Sequence, residues 1–572
     1  MSVTRREAAW SLLAALAVSG GAVVLAWSQG ALGIARNDDW SFIHNAFAFH
    51  DSGVFAVTGW VQMMLIGQLV LSYPVLAIAG HSITALQLVT AGLGALLLWA
   101  GYLLVRGFLA RPWAVLASAS LAIGPLYGSL AASVMTDVPA AAFQVLALAV
   151  AARALQSNAE RAGTSRAWLM VASVFGLVGF SIREYSIAAL AVIWLLAVVG
   201  RHRYGLTPRF IVTWTIGLGA VGVALLLWRA GQLTSTDSPL GLNALALVYM
   251  SRLPLTFGFL LLPVTAFVNP VRAWRAAWRS SRWLTVTLML VITALTLHTR
   301  FEFVGNYWAM DGGYTAVLRG VAPSAVPTWL WFLVVVASVL SMTTITALTI
   351  TGVVEAARRV RLLGARAWVA GDVVPHAGPS LAVGFVVVNG VMFSVLPTIA
   401  LIPVFDRYLV PVVVPAAGIV AWLAVRAGVV GSRAWRTVGI LGLGVFALAS
   451  LLVVVNTAAL DGARWRLAAQ VADRYAIAPG NVDGGFDWFA LQTDGSPRPA
   501  GWGPRWNWWT TSQGDRAVCA TLLYADHPAD PDAAGPAPDL APLMTASVPT
   551  WLGVPRTLVV LPGPDACTGV TP

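Results

Sequence analysis

The sequence contains no lysine, since all 35 of its basic residues are arginine. A phosphate-cradling loop closed by a lysine is therefore excluded, and a nucleotide-driven pump built on one with it. Charge of either sign is scarce. Asp, Glu, Lys and Arg make up 10% of the 572 residues, against roughly 25% in soluble domains. With 58% hydrophobic residues, the chain is neither a soluble globular protein nor a disordered one. Cysteine is almost absent, and the two present, Cys519 and Cys567, fall near the C-terminus. No His or Cys spacing matches a zinc motif. The formal charge of +11 does not mark a nucleic-acid binder, which gathers its basic residues on one wet face. Here they lie in short clusters between apolar runs, as in a polytopic membrane protein.

A spanning helix needs about 20 apolar residues. Hydropathy predicts about thirteen spans, near residues 10–29, 82–105, 113–131, 138–155, 167–182, 184–200, 210–228, 248–268, 283–298, 328–353, 380–402, 409–426 and 437–457. The first is too long, and too poorly followed by small residues, for a secretory signal alone, and reads as a retained helix. Alternate loops hold 21 of the 35 arginines but only four of the 24 acids, Glu7, Glu160, Glu355 and Asp372. The positive-inside rule makes those loops cytoplasmic. The expectation is thus an all-α multi-pass protein of the cell membrane with a cytoplasmic N-terminus and a membrane domain over residues 1–457. Residues 458–572 form a small extracytoplasmic α/β domain. An oxidising compartment there favours a Cys519–Cys567 disulfide over two free thiols.

One match is a decoy. Gly217-Leu-Gly-Ala-Val-Gly222 fits the dinucleotide fingerprint, but it lies inside an apolar span with no preceding strand, and reads as helix-packing glycine.

The first loop between spans carries Asn37-Asp38-Asp39-Trp40-Ser41-Phe42-Ile43-His44-Asn45-Ala46-Phe47. Trp40, Ile43 and Phe47 recur at helical spacing, which predicts a short amphipathic helix in the membrane interface. Asp38 and Asp39 start it. They are either caps that suit the helix dipole or functional carboxylates at the outer rim.

At these residues the sequence resembles the GT-C glycosyltransferases, in particular the protein O-mannosyltransferases and the lipid A aminoarabinose transferases. Those families begin with one span and an acidic pair in the first outer loop. Met135-Thr-Asp137-Val-Pro139 is similar to their second-loop acid, Ser181-Ile-Arg183-Glu184-Tyr185 to their basic hairpin, and Asp406-Arg407-Tyr408-Leu-Val-Pro411 to their Arg-Tyr-Leu-x-Pro segment. Val482-Asp-Gly-Gly-Phe-Asp-Trp488 looks like a tail segment of some bacterial members. The Lys-Pro-Pro of the aminoarabinose type is missing; Gln68 to Pro74 stand there.

The resemblance implies transfer of a sugar, with inversion, from a polyprenyl phosphate to a hydroxyl of an envelope glycan, lipid or protein. A lipid phosphate leaves as a stabilised anion, so a single carboxylate acting as base is enough. Asp38 is assigned that role. Asp39 would orient the acceptor or help to hold a divalent cation, and Asp137 would be a further polar contact. Arg183 and Arg407 would face the donor phosphate together with Glu184 and Tyr408; Arg252, Arg300 and Arg319 are weaker candidates. For Arg183 and Arg407, pairing with the adjacent Glu184 and Asp406 is the competing reading. Trp502, Trp506, Trp508 and Trp509 in the tail suit either sugar stacking or a small core. Two other functions stay open: a flippase or transporter of lipid-linked sugar, and an inactive binding member of the same fold.

Overall fold

The computed structural model describes residues 3–57, 61, 63–155, 162–232, 244–299, 301–310, 318, 324–369, 377–399, 404–493, 517–525, 540–563 and 567. The helices in chain order are α1 (Arg5–Ser28), α2 (Asp39–Ser52), α3 (Ile66–Ala79), α4 (Ile83–Arg106), α5 (Arg111–Ala122), α6 (Pro125–Ala131), α7 (Asp137–Ala154), α8 (Ala162–Ile182), α9 (Ile187–Val199) and α10 (Pro208–Ala230). They continue with α11 (Ala244–Leu260), α12 (Leu262–Thr265), α13 (Pro270–Ser280), α14 (Arg282–His298), α15 (Thr328–Val369), α16 (Ala377–Ile399), α17 (Val410–Arg426), α18 (Arg433–Arg474) and α19 (Phe486–Gln492). Each of the thirteen expected spans coincides with helix. Among the described residues nine helices are long and apolar enough to cross a membrane, and α5 with α6, bent by 67°, makes a tenth. The stretches expected at 184–200, 248–268 and 283–298 are shorter helices: α9, α11 and α14. The protein is a multi-pass membrane protein, all-helical in this part.

Its centre is α7, where every residue from Asp137 to Leu148 is buried. Alanines and glycines permit this, because helices in a bilayer gain by close van der Waals approach rather than by hydrophobic exclusion. A Cβ on Gly101 of α4 would lie 2.7 Å from Val414 of α17, and one on Gly418 of α17 would lie 2.7 Å from Val105 of α4. The two helices thus meet through reciprocal glycine notches. In contrast α10 buries only Trp214 fully. Gly217, Gly219 and Gly222 have open space where a side chain would be, so the helix-packing role expected of them is corrected: among the described residues they pack against nothing.

The polar tail folds as a four-stranded sheet of β1 (Val482–Asp483), β2 (Ala520–Tyr524), β3 (Met544–Val548) and β4 (Arg556–Pro562), in the order β1-β2-β4-β3. β1 runs parallel to β2, and the other pairs are antiparallel. Cys519 and Cys567 flank the β2–β4 pair and are disulfide-bonded, as the oxidising reading expects. The 48-residue separation places the bond's contribution near 4 kcal/mol in the chain-entropy model. Cys519→Ser should therefore lower the tail's unfolding midpoint in denaturant and make β2 amides exchange faster, and unchanged exchange would contradict it.

The helix α18 is 42 residues long and runs through residue 457 without a break. The boundary drawn at 457/458 falls inside it. Asn456, in mid-helix, donates to Leu552 O at 2.6 Å and accepts from Trp551 N at 2.8 Å, which ties the strand connection back onto the bundle.

Candidate active site

The helix α2 does not lie open in an interface as its spacing predicts. Trp40, Phe42, Ile43, Ala46 and Phe49 are buried, and so are the polar Ser41 and Asn45. The reason is long-range cover: α19 packs across it, with Trp40 and Phe486 edge to face at 6.0 Å, and His44 Nε2 lies 3.0 Å from Leu491 O. At its start the two acids diverge. Asp38 makes no capping bond, and its partly exposed carboxylate accepts from Arg407 Nη2 at 2.8 Å. Asp39 is wholly buried, and its two oxygens accept the backbone N–H groups of Arg36 and Val134. Burial pushes its carboxyl up to about 8, against the pull of those two donors.

Asp39 therefore splints the loop from residue 36 to the segment before α7. Both Asp39 oxygens are engaged, and the Arg407 guanidinium occupies Asp38. The geometry thus gives Asp39 a bracing place in the backbone, beside the acceptor-orienting or cation-holding role expected of it.

Around Asp38 the charges alternate. Arg407 Nη2 bonds Asp38, and its Nε lies 3.9 Å from Asp137 Oδ2. Arg183 Nη1 lies 3.1 Å from Asp137 Oδ1, which also accepts from Tyr185 Oη at 3.4 Å. Arg183 Nε donates to Thr136 Oγ1. The chain Asp38–Arg407–Asp137–Arg183 thus joins four segments separated widely in sequence. Both competing readings give way: among the described residues Arg183 pairs with Asp137 and not Glu184, and Arg407 with Asp38 and not Asp406. Asp406 instead accepts the N–H groups of Tyr307 at 2.9 Å, Trp308 at 2.7 Å and Arg407 at 2.7 Å. It fixes the backbone that delivers the Arg407 side chain.

Aromatic faces hold the two guanidiniums. Arg183 lies 5.4 Å from the Tyr185 ring and 5.0 Å from that of Tyr408. Arg407 lies 4.8 Å from Phe405 and 5.7 Å from Tyr408. Such contacts contribute more where water is excluded. Glu184 is half-buried, with Arg229 and Arg183 as its charged neighbours, and takes no part in the chain of ion pairs. Arg252 pairs with Glu302. Arg300, Arg319, Trp502, Trp506, Trp508 and Trp509 lie outside the described residues.

Three buried atoms in this cluster have no hydrogen-bond partner among the described residues: Arg183 Nη2, Arg407 Nε and Asp137 Oδ2. Buried donors without partners are costly, and two of these belong to the cations that would meet an anion.

Sequence reasoning missed two participants. Asn306 accepts from Arg407 Nη1 at 2.9 Å and from Asn37 Nδ2 at 3.2 Å. Asn37 can do so because its φ of 59° lies in the left-handed region that asparagine tolerates. The second is Arg36, buried with Nε 2.8 Å from Asp461 of α18 and Nη1 3.3 Å from Ser129 O. Asp461 is also 3.6 Å from Arg464. Arg464 in turn forks onto Asp487 and donates to Gly484 O at 3.0 Å. The tail segment Val482–Trp488 is thereby wired to the loop that carries Asp38.

Comparisons with known proteins agree with the resemblance read from the motifs. Residues 71–228 match the family model described as dolichyl-phosphate-mannose-protein mannosyltransferase. Among solved structures, ArnT from Cupriavidus metallidurans bound to undecaprenyl phosphate is similar at 12% identity, with 99% of each chain covered and a TM-score of 0.46. The archaeal oligosaccharyltransferase AglB from Archaeoglobus fulgidus, in complex with an inhibitory peptide and a dolichol phosphate, is similar at 13% identity. There 91% of this chain and 69% of that chain are covered, with a TM-score of 0.44. No curated protein matches the sequence. The chain is similar to glycosyltransferases of the GT-C type.

Proposed function

We propose that this protein transfers a sugar from a polyprenyl phosphate to a hydroxyl acceptor at the outer face of the cell membrane, with inversion at the anomeric carbon. The observation that carries the proposal is the Asp38–Arg407–Asp137–Arg183 chain, in which Asp38 alone among the acids keeps access to solvent, 24% of its side chain being exposed against none of Asp137's. The acceptor oxygen attacks the anomeric carbon, and the bond from that carbon to the phosphate oxygen breaks. The phosphate leaves with the electron pair, and Asp38 takes the hydroxyl proton. Arg183 and Arg407 supply charged donors to the leaving phosphate, which stabilises charge where it develops. Asp137 holds the two guanidiniums in register between substrates. A glycan, lipid or protein of the envelope is the acceptor class, and the C-terminal domain belongs on the same side as Asp38.

The proposal has a direct test in Arg183→Lys. Lysine keeps the charge opposite Asp137 but loses the fork that places Nη2. One charged hydrogen bond corresponds to about 1.5–3 kcal/mol, so the KM for the polyprenyl-phosphate sugar should rise about 10- to 100-fold while that for the acceptor holds. An unchanged donor KM would remove Arg183 from the donor site. Translocation of the lipid-linked sugar without transfer would replace the transferase reading by a carrier.

A further inference from the structure

The helix α2 has a second end. Asp38 precedes its first turn, and thirteen residues on, about 20 Å at 1.5 Å per residue, its last turn presents Phe47, His50 and Asp51 at positions i, i+3 and i+4. Facing them is His81, in the turn between α3 and α4. Asp51 Oδ1 lies 3.0 Å from His50 Nδ1 and 2.8 Å from His81 Nε2, and the three ligand atoms all fall within 4.8 Å of one another. No sequence spacing announces this, because His81 arrives from thirty residues away through the fold.

The rings are held from behind. Phe47 stacks flat on His81, with centroids 4.5 Å apart and planes 9° off parallel. His50 stands beside Tyr73 at 6.0 Å and edge-on to His81 at 5.6 Å. Gly80, at φ 65°, makes the bend that a side chain would strain, and Ser82 caps α4 through Ala85 N. His81 is therefore fixed between two anchored neighbours. The three side chains are partly exposed, with fractions of 25%, 57% and 48% for His50, Asp51 and His81.

We infer that His50, Asp51 and His81 form a binding site for one zinc-class divalent cation, separate from the Asp38 cluster and independent of its proposed role. Two imidazole nitrogens and a carboxylate oxygen are the donors such ions take. Metal–ligand bonds of about 2.0–2.2 Å put tetrahedral ligands about 3.3 Å apart, so the two Asp51 spacings open by a few tenths of an ångström, and the two ring nitrogens, within 4.8 Å of each other, adjust by rotation of the side chains. Solvent supplies the fourth ligand. His50 binds through Nδ1 with its proton on Nε2, and His81 through Nε2 with its proton on Nδ1. Bound there, the ion clamps the far end of α2 to the start of α4.

The test uses the full-length protein in detergent, freed of any histidine tag and stripped with a chelator, then titrated with Zn2+ by calorimetry and with Co2+ by visible absorption. The expected result is one equivalent of Zn2+ per chain, competition by Co2+ with a tetrahedral spectrum, and no competition from Mg2+. His81→Gln and Asp51→Asn should each weaken binding about 100-fold or more, since loss of even an outer partner costs 10- to 100-fold. Asp51→Asn retains an acceptor for both rings, so it keeps the test decisive if His81→Gln folds poorly. Absence of binding by the stripped wild type overturns the inference, and so does equal binding by the two variants.

Discussion

Asp38→Asn should abolish most transfer while leaving the fold intact. A positioned general base contributes about 10²–10⁴-fold, so kcat should drop by that factor. The change is nearly isosteric, Asp38 is partly exposed, and among the described residues its ion pair is with Arg407, which keeps Asn306 and the neighbourhood of Asp137. Donor KM should change little, because the phosphate contacts come from the arginines. The measurement is transfer of labelled sugar from a panel of polyprenyl-phosphate donors to envelope acceptors, with wild type and variant compared at saturating donor. Equal kcat would end the assignment of Asp38 as base. Asp39→Asn makes the informative contrast. It places an amide nitrogen against a backbone N–H of Arg36 or Val134, so it should harm folding and expression as well as turnover.

The second large effect belongs to stability. Asp487→Leu should destabilise the protein by about 3–5 kcal/mol, the cost of breaking a buried ion pair by removing one partner. Arg464 and Asp487 are both fully buried and meet through a forked contact. The double replacement Arg464→Met with Asp487→Leu should lose less than either single one, because matched apolar groups carry no stranded charge. Thermal inactivation in detergent of the singles and the double reads the difference. A double variant as weak as the sum of the singles would mean that the pair is not coupled. The singles should also lose transfer activity, since Arg464 contacts Asp461 and Asp461 holds Arg36, three residues from Asp39.

Hydropathy made most of the membrane part legible, because apolar spans are a local property of the chain. Asp38, Asp137, Arg183 and Arg407 were legible through short motifs, and the structure brings those four together. Their partners were not. Arg183 reaches 46 positions back to Asp137 and not to the adjacent Glu184, the extended backbone at Arg183 giving way to a 3₁₀ turn over Glu184–Ser186. Arg407 reaches Asp38 across 369 positions. The Arg36–Asp461 contact spans 425, and nothing local marks Asp461 as anything but an acid past the end of an apolar run. Asn306 is a lone asparagine in a loop, chemically apt but without a pattern. Cover by α19 likewise turned an amphipathic helix into a buried one, since spacing alone tells which residues share a face and not what lies against the other.

The unbroken α18 is about 63 Å long at 1.5 Å per residue, roughly twice the hydrocarbon thickness of a bilayer. It therefore acts as a strut with one end among lipids and the other among the strands. Asp461 and Arg464 ride on it beyond residue 457. A tilt of the helix to match a thicker or thinner bilayer displaces those two side chains as a rigid lever displaces its tip, and through Arg36 the displacement arrives at the loop bearing Asp38. The helix runs through that stretch as one element, so transfer measured in vesicles of differing acyl-chain length is expected to vary with bilayer thickness, and equal rates across them would contradict it.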